Sequence, residues 1–210
     1  MPPIVTTKAF DFTAKTVLAD GSVDEEFRLS SLHGRYVVLF FYPNDFTFVC
    51  PSEVLAFNDA LDRFKGLNAE LVGVSVDSHH THVAWRETDL DKGGIGPIRF
   101  PLVSDLSKRI SEAYGVLVDD EVALRGLFLI DREGYIRHAV INDIPLGRSV
   151  EEALRMVEAL RFHEEKGDLC PANWQQGQEG MKPTRDGVVN YLARFSKKKT
   201  PKAVGSDQGN

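Results

Sequence analysis

The segment from Tyr42 to Glu53, YPNDFTFVCPSE, contains one of the two cysteines of this 210-residue chain. An apolar run, Tyr36–Phe41, precedes the segment and is typical of a β-strand. From Cys50 onward, apolar residues recur at helical spacing, which predicts that this thiol lies at a helix N-terminus. Unpaired backbone N–H groups and the helix dipole favour an anion there, so Cys50 is a candidate nucleophile in its thiolate form.

The spacing around this cysteine is itself informative. Pro43, Thr47 and Cys50 stand in the pattern P-x-x-x-T-x-x-C, which resembles the active-site motif of the peroxiredoxins, a family of thiol-dependent peroxidases. The second cysteine, Cys170, lies in C-P-A-N-W, and this pair of motifs is similar to the typical 2-Cys subgroup, which includes alkyl hydroperoxide reductase C and the thioredoxin peroxidases. The resemblance covers about residues 8 to 192 and includes VDSH (76–79), GGIGP (93–97), PLVSD (101–105) and RGLF (125–128).

The resemblance implies a specific activity. Hydrogen peroxide or an organic hydroperoxide would oxidise Cys50 to a sulfenic acid, which would condense with Cys170 to form a disulfide. A thioredoxin-like protein or a flavoprotein disulfide reductase would then restore both thiols, without a bound cofactor or metal. The residues alone do not tell whether the two cysteines join within one chain or between chains. The subgroup resemblance implies a head-to-tail homodimer that assembles further into a decamer.

Residues other than the thiol must contribute to the peroxide step. Greater thiolate character is offset by lower nucleophilicity, so ionisation alone adds little to the rate. A larger gain comes from stabilising charge as the O–O bond breaks. Candidate donors are the Thr47 hydroxyl, the backbone N–H of Cys50 and the guanidinium of Arg125. Thr47 could instead be a turn or cap residue, and Arg125 a surface arginine next to an apolar strand.

Each of three further site candidates can be interpreted either as functional or as purely structural. Pro43 would shield the thiolate from water according to the resemblance, although proline commonly ends a strand. Glu53 suits the first turn of a helix, and the resemblance implies that it also orients Arg125. Cys170 is the resolving cysteine in this interpretation, or otherwise a lone thiol in a C-terminal loop.

Other activities are less compatible with the motifs. His79, His80 and His82 form H-H-x-H, but this spacing does not supply a convergent tetrahedral ligand set for a metal. A Cys-His hydrolase needs an imidazole that activates the thiol, and no histidine is singled out. A thioredoxin-type oxidoreductase needs C-x-x-C, whereas Glu53 occupies the position three after Cys50. A holdase or redox-sensing scaffold remains an alternative from a different class of protein.

The order of predicted elements indicates the fold class. Strand-like runs alternate with amphipathic helices, and a turn at residues 131–134 joins the last two strands as a hairpin. The pattern Ser149–Glu152 predicts the start of a final helix. We therefore expect an α/β protein with a thioredoxin-like fold, whose central mixed sheet is flanked by helices. The predicted strands are Tyr36–Phe41, Glu70–Val76, Leu124–Ile130 and Tyr135–Ile141.

Composition and length suggest how the chain is organised. We expect a peroxidase domain in residues 1–165, a C-terminal extension with the resolving cysteine in 166–196, and a flexible tail in 197–210. The net charge of −6 gives no reason to expect nucleic acid or an anionic membrane as a partner. The lack of a signal-peptide pattern and the presence of only two cysteines favour a reducing, cytoplasmic location.

The C-terminal extension is expected to regulate overoxidation. Gly93–Gly96 resembles a glycine-rich loop of peroxide-sensitive relatives, in which a C-terminal helix bearing Tyr-Phe covers the active-site helix. The matching pair in this chain is Tyr191 and Leu192, within a predicted helix over residues 188–195. Because leucine offers less contact area than phenylalanine, we expect intermediate sensitivity to a second oxidation.

Overall fold

A computed structural model of the chain describes residues 4–199. Within it the chain divides into two compact units, one that ends at Val157 and one that begins at Glu158. This division falls inside the helix Val150–Lys166, and the boundary expected after residue 165 stays a prediction.

The first unit contains a sheet with helices between its strands. In chain order its elements are β1 (Thr13–Val17), β2 (Val23–Arg28), β3 (Tyr36–Phe41), α1 (Cys50–Gly66), β4 (Ala69–Ser75), α2 (His79–Glu87), β5 (Leu102–Ser104), α3 (Arg109–Ala113), β6 (Leu117–Val118), β7 (Val122–Ala123), β8 (Arg125–Ile130), β9 (Ile136–Asn142) and the start of α4 (Val150–Lys166).

Seven of these strands form one mixed sheet in the order β2-β1-β5-β4-β3-β8-β9. Strand β3 is parallel to β4 and antiparallel to β8, and β8 is antiparallel to β9. Strands β6 and β7 form a separate two-stranded ribbon. The expected thioredoxin-like fold with a central mixed sheet is confirmed.

The central strands are buried on both faces, which explains their continuous apolar sequences. All six residues of β3 and all six of β8 are buried. Successive side chains of β3 point to opposite faces, so Phe40 and Phe41 pack into different layers. The Phe40 ring stacks on Phe57 of α1 at 4.5 Å between centroids, and Phe41 lies 5.2 Å from Tyr114 on the other face. The first of these contacts holds α1 against the sheet.

The four predicted strands correspond to β3, β4, β8 and β9, with ends that differ by one residue at most. The predicted hairpin turn is present, because the backbone N–H of Gly134 donates to the carbonyl of Asp131 at 3.0 Å. Ser149 Oγ accepts from the backbone N–H of Glu152 at 3.2 Å, as a helix cap should. The Glu152 carboxylate pairs instead with Arg155 at 2.6 Å, so the capping box is only half formed. The sequence predicts none of the other five strands, which are β1, β2, β5, β6 and β7.

The second unit contains the remainder of α4, a connecting segment and helix α5 (Arg185–Lys199). The predicted helix over residues 188–195 lies within α5. Because α5 extends to Lys199, the tail predicted for 197–210 begins with helical residues, and 200–210 lie outside the described part of the chain. Among residues 4–199, no helix combines the length and apolar character needed to cross a bilayer.

Candidate active site

Cys50 is the first residue of α1 and follows the loop 43–49, which begins just after β3. Its side chain is only 1% exposed. The cap residue Val49 offers no side-chain hydrogen bond to the helix N-terminus, and Pro51 in the first turn has no N–H group. The N-terminal end of α1 is therefore a site where an anion can meet unpaired backbone donors.

Arg125 is brought to this thiol by strand pairing. Arg125 is the first residue of β8. Because β8 runs antiparallel to β3, the start of β8 lies beside the end of β3. Its Nη1 atom lies 3.5 Å from Cys50 Sγ and 2.6 Å from Glu53 Oε2, while Nε donates to the carbonyl of Ile144 at 2.6 Å. The guanidinium is 2% exposed and held from two sides, so Arg125 is a buried cation beside the sulfur.

Glu53 lies one turn after Cys50 and links two arginines. Its Oε1 atom accepts from the backbone N–H and Nε of Arg148, both at 2.8 Å, and Oε2 accepts from Arg148 Nη2 at 2.9 Å. Burial acts to raise the pKa of Glu53, but the hydrogen bonds and charge of Arg148 and the charge of Arg125 outweigh it and hold the pKa below its ordinary value. Glu53 is thus a carboxylate that orients Arg125.

Arg148 was not predicted from the sequence. It lies just before α4, and its Nη1 atom also donates to the carbonyls of Phe41 at 2.8 Å and Gly126 at 2.5 Å. These bonds connect the Glu53 carboxylate to the ends of β3 and β8. No motif in the sequence marks this residue, because its partners are up to 107 positions away along the chain.

The loop before Cys50 contains the other two candidates. Thr47 is half-buried, and its hydroxyl donates to the backbone carbonyl of Asn44 at 2.7 Å. The hydroxyl proton is therefore used in a turn, while the oxygen can still accept a hydrogen bond. Pro43 is buried near the end of β3. Cys50, Glu53 and Arg125 are joined by direct contacts, and Thr47 and Pro43 lie in the adjoining loop.

The H-H-x-H segment forms the start of helix α2. The rings of His79 and His80 contact each other at 3.9 Å, whereas His82 is fully buried. Within residues 4–199, histidine, cysteine, aspartate and glutamate form no group of three that could hold a metal ion. The charged group in contact with Cys50 Sγ is the guanidinium of Arg125 rather than an imidazole.

Cys170 belongs to the second unit and is half-buried. Its Sγ atom donates to the backbone carbonyl of Ala159 at 3.4 Å, and neither Cys50 nor Cys170 is in a disulfide in this structure. Nearby, Trp174 is 3% exposed, packs against Phe162 in a tilted arrangement with ring centroids 4.8 Å apart, and donates from Nε1 to the carbonyl of Gln178 at 3.1 Å. The segment with Cys170 is thus held by a tryptophan anchor and local hydrogen bonds.

Comparison with protein families gives two matches. Residues 5–139 match the AhpC/TSA family, and residues 159–194 match the C-terminal domain of 1-Cys peroxiredoxin. The two matches together include the Cys50 loop, Arg125 and the segment that contains Cys170.

Individual proteins agree with this assignment. Alkyl hydroperoxide reductase C of Helicobacter pylori strain J99 is 50% identical over 194 residues, which are 92% of this chain and 98% of that protein. Peroxiredoxin-2 of Mus musculus is 50% identical over 187 residues, or 89% of this chain and 93% of the mouse protein.

Among solved structures, the reduced 2-Cys peroxiredoxin of Plasmodium vivax is 50% identical and superposes with a TM-score of 0.90, covering 91% of this chain and 100% of that one. The shared fold and the extent of sequence identity both support one assignment. The chain belongs to the AhpC/TSA family and is a peroxiredoxin, a thiol peroxidase.

Proposed function

We propose that Cys50 is the cysteine that attacks the peroxide and that Cys170 resolves the product as a disulfide. The observation that carries this proposal is the contact between the buried Cys50 sulfur and Arg125 Nη1 at 3.5 Å. Arg125 and Arg148 together with Glu53 leave one positive charge in excess. A thiolate at Cys50 would neutralise it, which favours the reactive form in a buried site.

The first step transfers one oxygen atom from the peroxide to sulfur. The Cys50 thiolate attacks the terminal oxygen of ROOH, an S–O bond forms and the O–O bond breaks. Sulfur is oxidised by two electrons to a sulfenic acid, and the departing RO⁻ takes a proton to leave as an alcohol, or as water when R is hydrogen. Arg125 and the backbone N–H of Cys50 would stabilise the charge on the two oxygens, and the Thr47 oxygen would accept the peroxide O–H.

The second step regenerates the enzyme through Cys170. Its thiolate attacks the sulfenic sulfur of Cys50, the S–O bond breaks, and a disulfide forms, while the departing hydroxide takes up a proton and leaves as water. A thioredoxin-like protein or a flavoprotein disulfide reductase would reduce this bond by thiol–disulfide exchange. Similarity to proteins named alkyl hydroperoxide reductase C and 2-Cys peroxiredoxin supports organic hydroperoxides beside hydrogen peroxide as substrates, and a two-cysteine cycle.

The assembly is part of this proposal. We expect a homodimer in which Cys170 of one chain serves Cys50 of another, with dimers assembled into a decamer. A related Plasmodium yoelii protein, modified at its N-terminus, forms an artifactual octamer, so oligomers occur among the similar structures. A two-cysteine cycle needs a compartment that supplies dithiol reductants, and we place the protein in the cytoplasm for that reason.

Oxidation with one equivalent of hydrogen peroxide tests these assignments. On non-reducing gels the parent should form a covalent dimer of two 23.4 kDa chains, and mass spectrometry of its peptides should identify a Cys50–Cys170 link. Cys50→Ser and Cys170→Ser should each prevent that link. A disulfide confined to one chain would refute the head-to-tail arrangement, and peroxide consumption that continues in Cys50→Ser would refute the role of Cys50.

A further inference from the structure

A second buried polar cluster joins Asp45, in the loop 43–49, to Tyr42 and to His82 of α2. The Tyr42 hydroxyl donates to Asp45 Oδ1 at 2.9 Å, and Asp45 Oδ2 lies 2.7 Å from His82 Nδ1. His82 Nε2 lies 3.2 Å from the carbonyl of Val103 in β5. The side chains of Asp45 and His82 are both 0% exposed. None of these groups has a part in the peroxide chemistry described above.

The hydrogen-bond partners determine how many protons the Asp45–His82 pair carries. Because the Val103 carbonyl can only accept, His82 Nε2 must carry a proton. One further proton must then lie between His82 Nδ1 and Asp45 Oδ2, since two unprotonated atoms at 2.7 Å would repel each other. The pair is neutral overall in either arrangement. Burial raises the pKa of Asp45, and the hydrogen bond and charge of His82 oppose that rise.

Asp45 fixes the middle of the loop through its main chain as well as its side chain. Its backbone N–H donates to Asp77 Oδ2 at 2.9 Å, and Ser75 Oγ donates to the same oxygen at 2.7 Å. The next residue, Phe46, has a φ of 53°, a left-handed conformation that a bulky side chain rarely adopts. Thr47 follows directly. The strained backbone persists because the residue before it is held from several sides.

Stability alone gives little reason for such a cluster. Removing a carboxylate and an imidazole from water is unfavourable, and apolar residues of similar volume often stabilise a core as well or better. A buried pair of this kind does, however, restrict its neighbours to one geometry. Here the restricted neighbour is the short segment between Asp45 and Cys50, which carries the Thr47 hydroxyl.

We propose that Asp45 and His82 are positioning residues for the peroxide step. They hold the loop 43–49 so that the Thr47 oxygen and the Cys50 thiolate meet the two peroxide oxygens together, without touching the reacting atoms themselves. This inference rests on the proposed role of Cys50 and goes beyond it. A displacement of about 1 Å in a positioned group can lower a rate by about 10²-fold, so the loop is a sensitive point.

Two substitutions of His82 separate positioning from packing. Asparagine can place a donor near the position of Nδ1 and keep the bond to Asp45, whereas glutamine reaches the position of Nε2 and loses that bond. Both are made in the full-length Cys170→Ser chain, so that Cys50 is the only thiol. His82→Gln should lower the rate constant for hydrogen peroxide by about 10- to 100-fold, and His82→Asn should stay within about threefold of the parent.

The decisive second readout is alkylation of Cys50 by iodoacetamide, which needs the thiolate but not alignment with two oxygens. Its rate should change by less than about threefold in His82→Gln, because the Arg125 and Glu53 contacts remain. Equal losses in both reactions would overturn the proposal, as would an unchanged peroxide rate in His82→Gln. A His82→Asn variant as slow as His82→Gln would also overturn it.

Controls separate this inference from general destabilisation and from the proposed function. Asp131 is also a buried carboxylate, 4% exposed, but it holds the β8–β9 turn at the other end of β8. Asp131→Asn should lower the melting temperature and leave the peroxide rate unchanged. Cys50→Ser must abolish the reaction; if it does not, the proposed function fails first. If His82→Gln does not fold, Tyr42→Phe decides instead: a loss of about three- to tenfold supports positioning, and no loss refutes it.

Discussion

The two cysteines occupy environments of opposite character. Cys50 is 1% exposed, and its sulfur lies beside an arginine that a buried glutamate holds in place. Cys170 is half-buried, and its sulfur donates to a backbone carbonyl at 3.4 Å. The sulfur of Cys50 thus contacts a fixed charge, whereas the sulfur of Cys170 contacts a backbone carbonyl. A thiol that must stabilise a charged transition state needs fixed charge, whereas a thiol that resolves a sulfenic acid needs to reach it.

The two environments also differ in how they are built. Groups around Cys50 come from helix α1, strand β8 and the residues before α4, and the contact between Glu53 and Arg148 spans 95 positions in sequence. The hydrogen bonds of Cys170 Sγ and Trp174 Nε1 are local, because they span 11 and four positions. Segments held by few and local contacts commonly open at lower free energy than the core, so we expect the Cys170 segment to open more readily than the Cys50 site.

The largest effect should come from exchanging each sulfur for oxygen. Cys50→Ser should abolish peroxide reduction, because a serine hydroxyl is not ionised near neutral pH. Cys170→Ser should react once with hydrogen peroxide at close to the parent rate and then stop, since no thiol resolves the sulfenic acid. Stopped-flow measurement of the single turnover and a thioredoxin-coupled assay of repeated turnover distinguish the two variants. Full thioredoxin-coupled turnover by Cys170→Ser would show that Cys170 is not the resolving cysteine.

The next largest effect should follow from removing the cation beside Cys50. Arg125→Ala should lower the peroxide rate constant by about 10²- to 10³-fold, because the lost donor acts on charge that develops in the transition state. Arg63→Ala is the matched control: Arg63 is half-exposed and pairs with Glu151, away from the sulfur. It should leave the rate unchanged. Equal rates for Arg125→Ala and the parent would show that the contact at 3.5 Å does not serve catalysis.

Much of the fold could be predicted from sequence because the central strands are continuous apolar runs. Strands β3 and β8 are buried along their whole length, and their lengths and neighbours make the pattern clear. Strand β5 has three residues, and β1 and β2 contain several exposed polar side chains, so their periodicity is weak. They became recognisable only from their pairing within the sheet.

Prediction of the site from the sequence is limited in the same way, because residues outside short motifs are not recognised. Cys50, Glu53 and Arg125 lie in motifs with recognisable spacing, and the structure brings them into contact. Arg148 lies in no such motif. Its place follows from the way the chain returns to the end of β3 after β9, which is a property of the tertiary fold. The H-H-x-H spacing draws attention to His82 as a metal ligand, whereas its partner in the structure is Asp45, 37 positions earlier.

The ion pairs of Glu53 with Arg125 and Arg148 can be tested by measuring the free energy of unfolding of a Glu53 variant. Glu53→Gln should lower the free energy of unfolding at pH 7 by about 3–5 kcal/mol, because two buried arginines lose their shared carboxylate. Since folding lowers the pKa of Glu53, its contribution is complete above the ordinary value of 4.5 and is lost as the pH falls through the folded value. The difference between variant and parent should therefore shrink below about pH 4.5.

Urea unfolding at pH 7 and at several lower pH values measures this difference. Glu151→Gln is the control, because Glu151 is exposed and pairs with Arg63 on the surface. It should change stability little at any of these pH values. A Glu53→Gln penalty that stayed constant from pH 7 down to pH 3 would show that the carboxylate charge is not what the arginines require.

The smallest effect should be confined to the segment around Cys170. Trp174→Phe keeps a ring that can pack on Phe162 but loses the Nε1 hydrogen bond to the Gln178 carbonyl. One such bond contributes about 1 kcal/mol, which corresponds to a roughly fivefold increase in local opening. Amide hydrogen exchange of residues 168–181 should accelerate by about that factor, and exchange of β3 and β8 should stay the same.

A matched tryptophan in the first unit shows whether this effect is local. Trp85 is fully buried in the first unit, and its Nε1 atom donates to the carbonyl of Gly93 at 3.0 Å, a bond of the same kind. Trp85→Phe should leave exchange of residues 168–181 unchanged, and Trp174→Phe should leave the single-turnover peroxide rate of Cys50 unchanged. If Trp174→Phe slowed that rate severalfold, the two cysteines would share one cooperative structure. The locally held segment would then not open separately from the charged site.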